Sequence, residues 1–200
     1  MNIKSKQELK SKATKQKILN IALQLLSEKG FDQMQVNQIC KLAGISVGAF
    51  YHHFSSKEDI IIETYKEVDE YFIQHVFPAV KGMAIRESIV EYIGLQAKYA
   101  ADKGVELISQ LYKSQIFSGN SFFISSDRAL PQGLKEIVEK GQQNHQIRND
   151  LSSNYITNQL LRYARGIIYD WCVHKGEYCL IKEMKTSIEL FSCCFFKDNN

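Results

Sequence analysis

Apolar residues recur at intervals of three and four along most of this 200-residue chain, the spacing that places them on one face of an α-helix. Ile18, Ala22 and Leu25 open the pattern, and Gly30 follows as a residue that ends helices. Strict alternation of apolar and polar residues, which is typical of strands, is hard to find. The sequence therefore predicts an all-α fold.

A second long helix is expected after residue 54. Ser55 and Glu58 have the spacing of a capping box, which opens a helix by pairing its first backbone N–H groups with side chains. The helix would run to about Phe77, because the following Pro78 cannot continue it.

The rest of the chain reads as five more helices. Three of these are predicted at residues 86–101, 103–117 and 128–143, with a loop at residues 118–127. The last two carry the clearest apolar stripes, from Ile156 to Trp171 and from Ile181 to Phe195. These two stripes fit a helix pair that closes the core of one subunit. They fit equally well a pair that meets its copy in a homodimer.

The positive charge of the chain is confined to its first quarter. Residues 1–57 contain nine lysines and three acidic residues, a net charge of +6, whereas residues 58–200 contain 16 basic and 19 acidic residues, a net charge of −3. A basic lobe of this kind favours a polyanion such as double-stranded DNA. We expect a domain at 1–57, with 1–12 as a basic arm, and a second domain at 58–200.

The basic arm has two interpretations that charge alone does not separate. Its lysines can lie along a DNA backbone, or they can form a solubilising tail without a partner. The residues concerned are Lys4, Lys6, Lys10, Lys12 and Lys15.

The composition predicts a cytoplasmic protein. No run approaches the roughly 18 apolar residues of a membrane-spanning helix, and the polar first residues lack the apolar stretch of a secretion signal. The five cysteines, an odd number without framework spacing, are expected to be reduced. They are Cys40, Cys172, Cys179, Cys193 and Cys194.

Motifs of catalysis and of cofactor or metal binding are not found in the sequence. A phosphate-binding glycine loop, a nucleophile elbow and paired carboxylates are all missing. Cys172, His174 and Cys179 lack a fourth ligand at a zinc-finger spacing. The sequence therefore predicts no enzyme, no cofactor and no metal. A thiol redox sensor and a small-molecule enzyme remain the alternatives from another class of protein.

Residues 35–54 carry the most informative local pattern. A short helix from about Gln35 to Leu42 is followed by Gly44 as a turn residue, and Ser46 can cap a second short helix that carries Phe50. Two short helices joined by a turn with glycine form a helix-turn-helix, whose second helix fits the major groove of DNA. Phe54 has the helical phase of a core residue, as Phe50 does.

The segments "TKQKILNIALQLLSEKGF" and "VNQICKLAGISVGAFYHHFSSKEDII" together resemble the DNA-binding domain of the TetR family of bacterial transcriptional regulators. The resemblance covers about residues 14–62. A later segment, "QIRNDLSSNYITNQLLRYARGIIYDWCVHKGEY", is more loosely similar to the two C-terminal helices through which that family dimerises. Residues 78–140 carry no signature, as the resemblance implies for an effector-binding part.

The resemblance implies a set of DNA contacts. Residues at the start of the second short helix would face base edges, the aromatic residues after them would reach the groove wall or backbone, and a lysine would face a phosphate. The full set is Asn37, Ser46, Val47, Gly48, Ala49, Tyr51, His52, His53 and Lys57. As an asparagine on the preceding helix, Asn37 would pair with adenine.

Two departures from the family pattern bear on DNA recognition. Gln35 and Val36 stand where the family usually has Thr or Ser, and Ala49 stands where it often has Thr.

His52 and His53 are adjacent on a helix and point about 100° apart, which disfavours a shared metal ion.

The resemblance implies a repressor that a small hydrophobic or aromatic ligand releases from a palindromic operator. Two subunits would pair through helices near 152–174 and 180–196. Aromatic residues between 58 and 171 would line the effector cavity, although each fits core packing too. They are Tyr65, Phe72, Tyr92, Tyr99, Tyr112, Phe117, Tyr163, Tyr169 and Trp171. An activating or ligand-independent regulator is the alternative.

Overall fold

A computed structural model describes residues 3–118 and 124–197, apart from the side chains of residues 3–6, Ser27, Thr64, Tyr65, Phe117 and Ser118. Within these ranges the chain is helical and contains no strand, only an isolated bridge between Ile147 and Phe196. The all-α prediction is confirmed. The helices are α1 (Ile3–Lys29), α2 (Val36–Ala43), α3 (Val47–His53), α4 (Lys57–Tyr71), α5 (Phe77–Val80), α6 (Ile85–Lys103), α7 (Val105–Ser118), α8 (Ala129–Gln143), α9 (Ser153–Val173) and α10 (Leu180–Ser192).

The chain divides into two compact units. The first ends at Tyr65 and the second begins at Lys66, so that the boundary falls inside α4. The division by function that we expect at residues 57 and 58 stays a prediction.

The core of the first unit is built by the apolar face of α1 and the two short helices. Ile18 and Leu25 of α1, Ile39 of α2 and Phe50 of α3 are all buried, and α2 contacts both α1 and α3. Full burial of one such side chain stabilises a fold by about 1.5–3 kcal/mol. The first helix ends at Gly30, whose N–H donates to the Leu26 carbonyl at 2.9 Å.

The start of α4 differs by one residue from the predicted capping box. Ser56, not Ser55, supplies the cap: its Oγ accepts from the Asp59 N–H at 3.3 Å. The Asp59 carboxylate in turn accepts from the Ser55 N–H at 2.8 Å. Because the helix begins at Lys57, Glu58 lies in its first turn rather than at the third position of a box.

The sequence predicts that Pro78 ends the helix that contains α4, and this prediction is wrong. A π-helical segment, Phe72–Val76, follows α4 and leads directly into α5, with Pro78 in the first turn of α5. The Phe77 N–H donates to the carbonyl of Phe72, five residues back. This wider turn accommodates a proline, which lacks an N–H and crowds the carbonyl four residues before it.

The second unit is organised around α6, which contacts α7, α8, α9 and α10. Gly94 lets α10 approach closely, since a Cβ at this position would lie 2.6 Å from Lys185 Cε. The Lys185 ammonium forms an ion pair with Glu91. On the other side of α6, the buried Tyr92 hydroxyl donates to the Leu130 carbonyl at 2.8 Å.

The predicted positions of the last five helices are confirmed to within a few residues at each end. Among the residues that the structure describes, no helix combines the length and the apolar character that crossing a bilayer requires.

Candidate nucleic-acid interface

The turn between α2 and α3 is fixed by Gly44. Its backbone lies in the left-handed region (φ 67°, ψ 39°), which glycine adopts without the strain of a side chain. The Gly44 N–H donates to Lys41 O at 3.3 Å, and the Ile45 N–H donates to Cys40 O at 3.0 Å. These bonds close the C-terminus of α2 and turn the chain sharply into α3.

Helix α3 is anchored on one side and open on the other. Ser46 caps it, because the Ser46 Oγ accepts from the Ala49 N–H at 3.1 Å. Phe50 is completely buried. Val47 is 41% and Tyr51 53% exposed. A short helix with a buried anchor and an exposed outer face has the form of a reading helix for the major groove.

The outer face of α3 also includes a residue without a side chain. Gly48 is exposed, and a Cβ at this position would meet only Ser46 Oγ, at 3.9 Å. Ala49 beside it is half-buried. A surface with side chains this small lets another molecule come close to the helix backbone.

Helix α2 begins without a side-chain cap. Gln35 stands at the N-cap in an extended conformation, and its side chain makes no capping bond. Its carbonyl accepts from the N–H groups of Gln38 and Ile39, both at 3.1 Å. Asn37, in the first turn, is exposed, so its amide is accessible to a base edge.

The two adjacent histidines lie at the end of α3. Their ring centroids are 5.2 Å apart and the ring planes are nearly perpendicular. Desolvation, with smaller contributions from His52 and Lys15, lowers the pKa of His53. At neutral pH the His53 imidazole is therefore uncharged, and it offers one donor and one acceptor rather than a positive charge.

Lys57 holds the start of α4 to the loop that follows α1. Its ammonium donates to the Phe31 carbonyl at 3.1 Å and to the Met34 carbonyl at 3.4 Å. It also lies 4.3 Å from the centre of the Phe31 ring. An ammonium has three N–H donors, so one is left for a phosphate. This intramolecular role was not expected from the sequence.

The basic arm is the first part of a continuous helix. Residues 7–13 of α1 are exposed, including Lys10 and Lys12, while Lys15 forms a 2.6 Å ion pair with Glu63. The side chains of Lys4 and Lys6 lie outside the described residues. The choice between a DNA-binding arm and a solubilising tail stays open.

Lys41 is a candidate for phosphate contact that is not among the residues predicted from the sequence. It is exposed in the last turn of α2, just before the turn that leads into α3. A lone lysine in a short helix carries no distinguishing pattern, so only its position next to α3 makes it a candidate for phosphate contact.

Comparison with known proteins agrees with this geometry. Residues 18–64 match the sequence profile of the family described as "Bacterial regulatory proteins, tetR family". The chain is also 25% identical over 186 residues to the fatty acid metabolism regulator protein of Bacillus subtilis, across 86% of this chain and 91% of that protein. Residues 18–64 belong to the TetR family. The chain is thus a DNA-binding transcriptional regulator rather than an enzyme.

Solved structures share the fold of this TetR-family chain. FadR from Thermus thermophilus in complex with lauroyl-CoA has a TM-score of 0.70 at 16% identity and covers 93% of this chain and 98% of its own. FadR from Bacillus subtilis in complex with stearoyl-CoA has a TM-score of 0.61 at 23% identity and covers 88% and 96%.

The aromatic residues predicted to line an effector cavity of the TetR-family regulator lie in several places. Phe72, Tyr92, Tyr99 and Trp171 are buried, Tyr112 is half-buried, and Tyr163 and Tyr169 are exposed on α9. The side chains of Tyr65 and Phe117 lie outside the described residues.

The buried and the exposed aromatic residues have different neighbours. The Phe72 and Tyr92 ring centroids are 5.0 Å apart, and Tyr99 instead lies 4.9 Å from Tyr71. Tyr163 stacks on Phe191 of α10 at 4.3 Å. An effector would therefore contact some of these residues and not others, and the assignment to a cavity stays a prediction.

Two of the cysteines have thiols of low reactivity. Burial raises the pKa of the Cys40 thiol, and it raises that of Cys172 as well. Both are therefore protonated and poor nucleophiles at neutral pH. Among the described residues, no group of three or more His, Cys, Asp or Glu side chains is placed to hold a metal ion.

Proposed function

We propose that this TetR-family regulator is a cytoplasmic repressor that binds an inverted-repeat operator as a homodimer and leaves it when a small molecule binds the second unit. The observation that carries the proposal is the geometry of α3, a helix capped by Ser46 and anchored by Phe50. Its exposed face has no side chain at Gly48, which suits close approach to base edges.

Each predicted DNA contact has a role in this proposal. Val47, Gly48 and Ala49 face base edges from the start of α3. Tyr51, His52 and His53 donate to the phosphate backbone or the groove wall. Residues 58–200, with their net charge of −3, take no part, because this charge repels DNA.

A homodimer is supported by the outer face of α9 and α10. Large apolar side chains are exposed along this face, although a monomer in water would bury them. They are Tyr155, Tyr163, Tyr169, Val173 and Leu190. A cleft of about 440 Å³ lies beside Tyr163 on this face, and Gly166 and Ile167 also line it. Two such faces would form a four-helix contact with twofold symmetry.

The dimer determines the shape of the operator. In a symmetric dimer, two copies of α3 read half-sites that are related by the same twofold axis. Successive major grooves on one side of B-DNA are about 34–36 Å apart, so the half-sites would be centred about one helical turn apart or a multiple of it. An inverted repeat follows from this symmetry.

A small-molecule effector is supported by proteins of the same fold. The two FadR structures hold lauroyl-CoA and stearoyl-CoA, and we propose that the second unit of this chain likewise takes a small molecule with an apolar part. The effector would favour a state of the protein that binds DNA weakly. Its difference in affinity between the two states sets how far repression is relieved.

Selection of bound fragments from a pool of random double-stranded DNA tests the proposal. We expect a motif with two mirrored halves. A motif with one half, or no enrichment at low ionic strength, would contradict it. Transcription of a reporter behind the selected site then distinguishes a repressor, which lowers expression, from an activator or a ligand-independent regulator.

Asn37→Ala should change base preference more than affinity. The exposed amide of Asn37 can pair with the N6 and N7 groups of adenine, and one such bidentate contact discriminates against a wrong base by about 1–3 kcal/mol. Selection with the variant should therefore relax one position in each half-site. Unaltered preference at every position would show that Asn37 does not read a base.

Lys57→Met should lower both stability and DNA affinity. Loss of the two carbonyl bonds and the contact with the Phe31 ring should lower the free energy of unfolding by about 2 kcal/mol. Loss of a phosphate contact should weaken binding to all sequences alike and reduce the salt slope by about one. Urea unfolding and fluorescence anisotropy measure the two effects, with exposed Lys29→Met as the control. Unchanged stability would contradict the structural role of Lys57.

A further inference from the structure

Four side chains in the second unit hold buried polar atoms for which the described residues supply no hydrogen-bond partner. They lie on α6, α7 and α9, and the atoms are Gln96 Oε1, Ser114 Oγ, Gln115 Oε1 and Nε2, and Thr157 Oγ1. Gln96, Ser114 and Thr157 are 5%, 7% and 3% exposed. Bulk water therefore does not reach these groups either.

The three helices that carry these groups pack against one another. Helix α6 contacts α7 and α9, and α7 contacts α9. The Tyr112 hydroxyl fixes α7 to α9 by donating to the Arg165 carbonyl at 3.0 Å. On α6, Gln96 lies on the side opposite Gly94, which faces α10, and shares that side with Tyr92 and Ile89. Gln96 thus faces away from α10, towards the interior of the second unit.

Leaving these groups without partners is unfavourable. A buried donor or acceptor without a partner costs about 1–3 kcal/mol, and folded proteins contain few of them. An apolar side chain of the same shape would fit the interior without that cost. Residues that lower stability in this way are typical of binding sites, where a ligand supplies the missing partners.

Charge limits what that ligand can be. Among the described residues, Arg128 is the only charged side chain that is buried, and it is paired with Asp69. A carboxylate or ammonium in the interior would therefore have no counter-ion, which is very unfavourable. An amide or a hydroxyl, which is uncharged and both donates and accepts, meets no such penalty and can pair with several of these groups.

We propose that the interior of α6, α7 and α9 binds the uncharged, hydrogen-bonding group of the effector, an amide or a hydroxyl, through Gln96, Ser114, Gln115 and Thr157. The proposal rests on the proposed function in one respect, that the second unit binds an effector. It adds the chemistry of the part that is buried. An effector whose buried part is only hydrocarbon would leave these polar groups unsatisfied.

Three probes with the same chain and different head groups test the proposal: decanamide, decanoate and decan-1-amine. Their binding to the full chain, without DNA, is measured by isothermal titration calorimetry at pH 7.5. Decanamide should bind at least tenfold more tightly than either charged probe, and Gln115→Leu should abolish this preference. Equal or tighter binding of a charged probe, or no binding of decanamide, would overturn the proposal.

A matched pair of serines separates a binding role from a structural one. Ser192 is as buried as Ser114 but its hydroxyl donates to the Glu189 carbonyl at 3.3 Å. Ser114→Ala should raise the midpoint of thermal unfolding by about 2–4 °C and weaken decanamide binding at least tenfold. Ser192→Ala should lower the midpoint and leave decanamide binding unchanged. A lowered midpoint with unchanged binding for Ser114→Ala would also overturn the proposal.

These measurements do not depend on an operator. If selection from random DNA fails while decanamide is preferred, the proposed regulator is wrong and the ligand chemistry stands. If an inverted repeat is selected while no preference for decanamide is found, the proposed ligand chemistry is wrong and the proposed regulator stands.

Discussion

Gly166→Trp should convert the proposed homodimer into a monomer and lower affinity for its operator by at least about a hundredfold. Gly166 lies on the outer face of α9, and a Cβ added there meets no atom within 4 Å in the protomer. The subunit itself thus has room for a large side chain. A second subunit packed against the same face does not, because a tryptophan would hold the two helices apart.

The loss of DNA affinity follows from the loss of the second half-site. In a dimer, binding of one α3 places the other at a high effective concentration, which increases affinity about 10²–10⁴-fold over a single module. Sedimentation velocity measures the change of mass, and fluorescence anisotropy compares the whole operator with one half-site. Affinity for the half-site alone should stay as it is in the wild type.

Gly166→Ala serves as the control for helix propensity. On a helix surface exposed to water, alanine stabilises by about 1 kcal/mol relative to glycine. At a close contact between two helices, even a methyl group weakens association. Dimer affinity should therefore fall moderately for Ala and strongly for Trp. A Gly166→Trp protein that remains a dimer would show that the subunits meet on another face.

Local rules made the helix-turn-helix predictable from sequence. Gly44 stands where a left-handed backbone is needed, Ser46 stands where a cap is needed, and Phe50 has the phase of a buried residue. Each feature depends on a few neighbouring residues, so the sequence contains the information. The same reasoning located the last five helices.

The continuation past Pro78 depends on more distant contacts. Phe72 and Val76 of the π-helical segment are completely buried, so packing favours a continued helix over the break that a proline favours locally. The role of Lys57 was missed for a similar reason. Its partners, Phe31 and Met34, are more than 20 residues away along the chain.

The prediction of the effector site rests on residue type alone. Aromatic residues fill helical cores in any bundle, and their number does not show which side of a helix is covered by which neighbour. The proposed polar site has a different signal, a polar residue on an apolar face. Gln96 lies among Ile89, Ile93 and Ala100 on the buried side of α6, and that pattern is visible in the sequence.

Asp69→Asn should lower the free energy of unfolding of the second unit by about 3 kcal/mol. Arg128, only 7% exposed, donates through Nε to Asp69 Oδ2 at 2.9 Å and through Nη2 to Oδ1 at 3.2 Å. Arginine stays protonated in proteins. The asparagine would leave a buried guanidinium without its carboxylate, a change that costs about 3–5 kcal/mol in a fully buried pair. Because the Asp69 side chain is 24% exposed, we expect the lower end of this range.

The double variant Asp69→Leu with Arg128→Leu shows whether the loss comes from the unpaired charge. Replacing a buried ion pair by apolar residues is often neutral or stabilising, so the double variant should be more stable than Asp69→Asn. Urea unfolding measures the free energies, and the Arg128→Leu single variant completes the cycle. One further hydrogen bond limits how much stability the double variant regains. The Leu130 N–H donates to Asp69 Oδ1 at 3.4 Å at the start of α8, and a leucine at position 69 cannot accept this hydrogen bond. A double variant no more stable than Asp69→Asn would mean that this anchoring of α8 outweighs the charge pair.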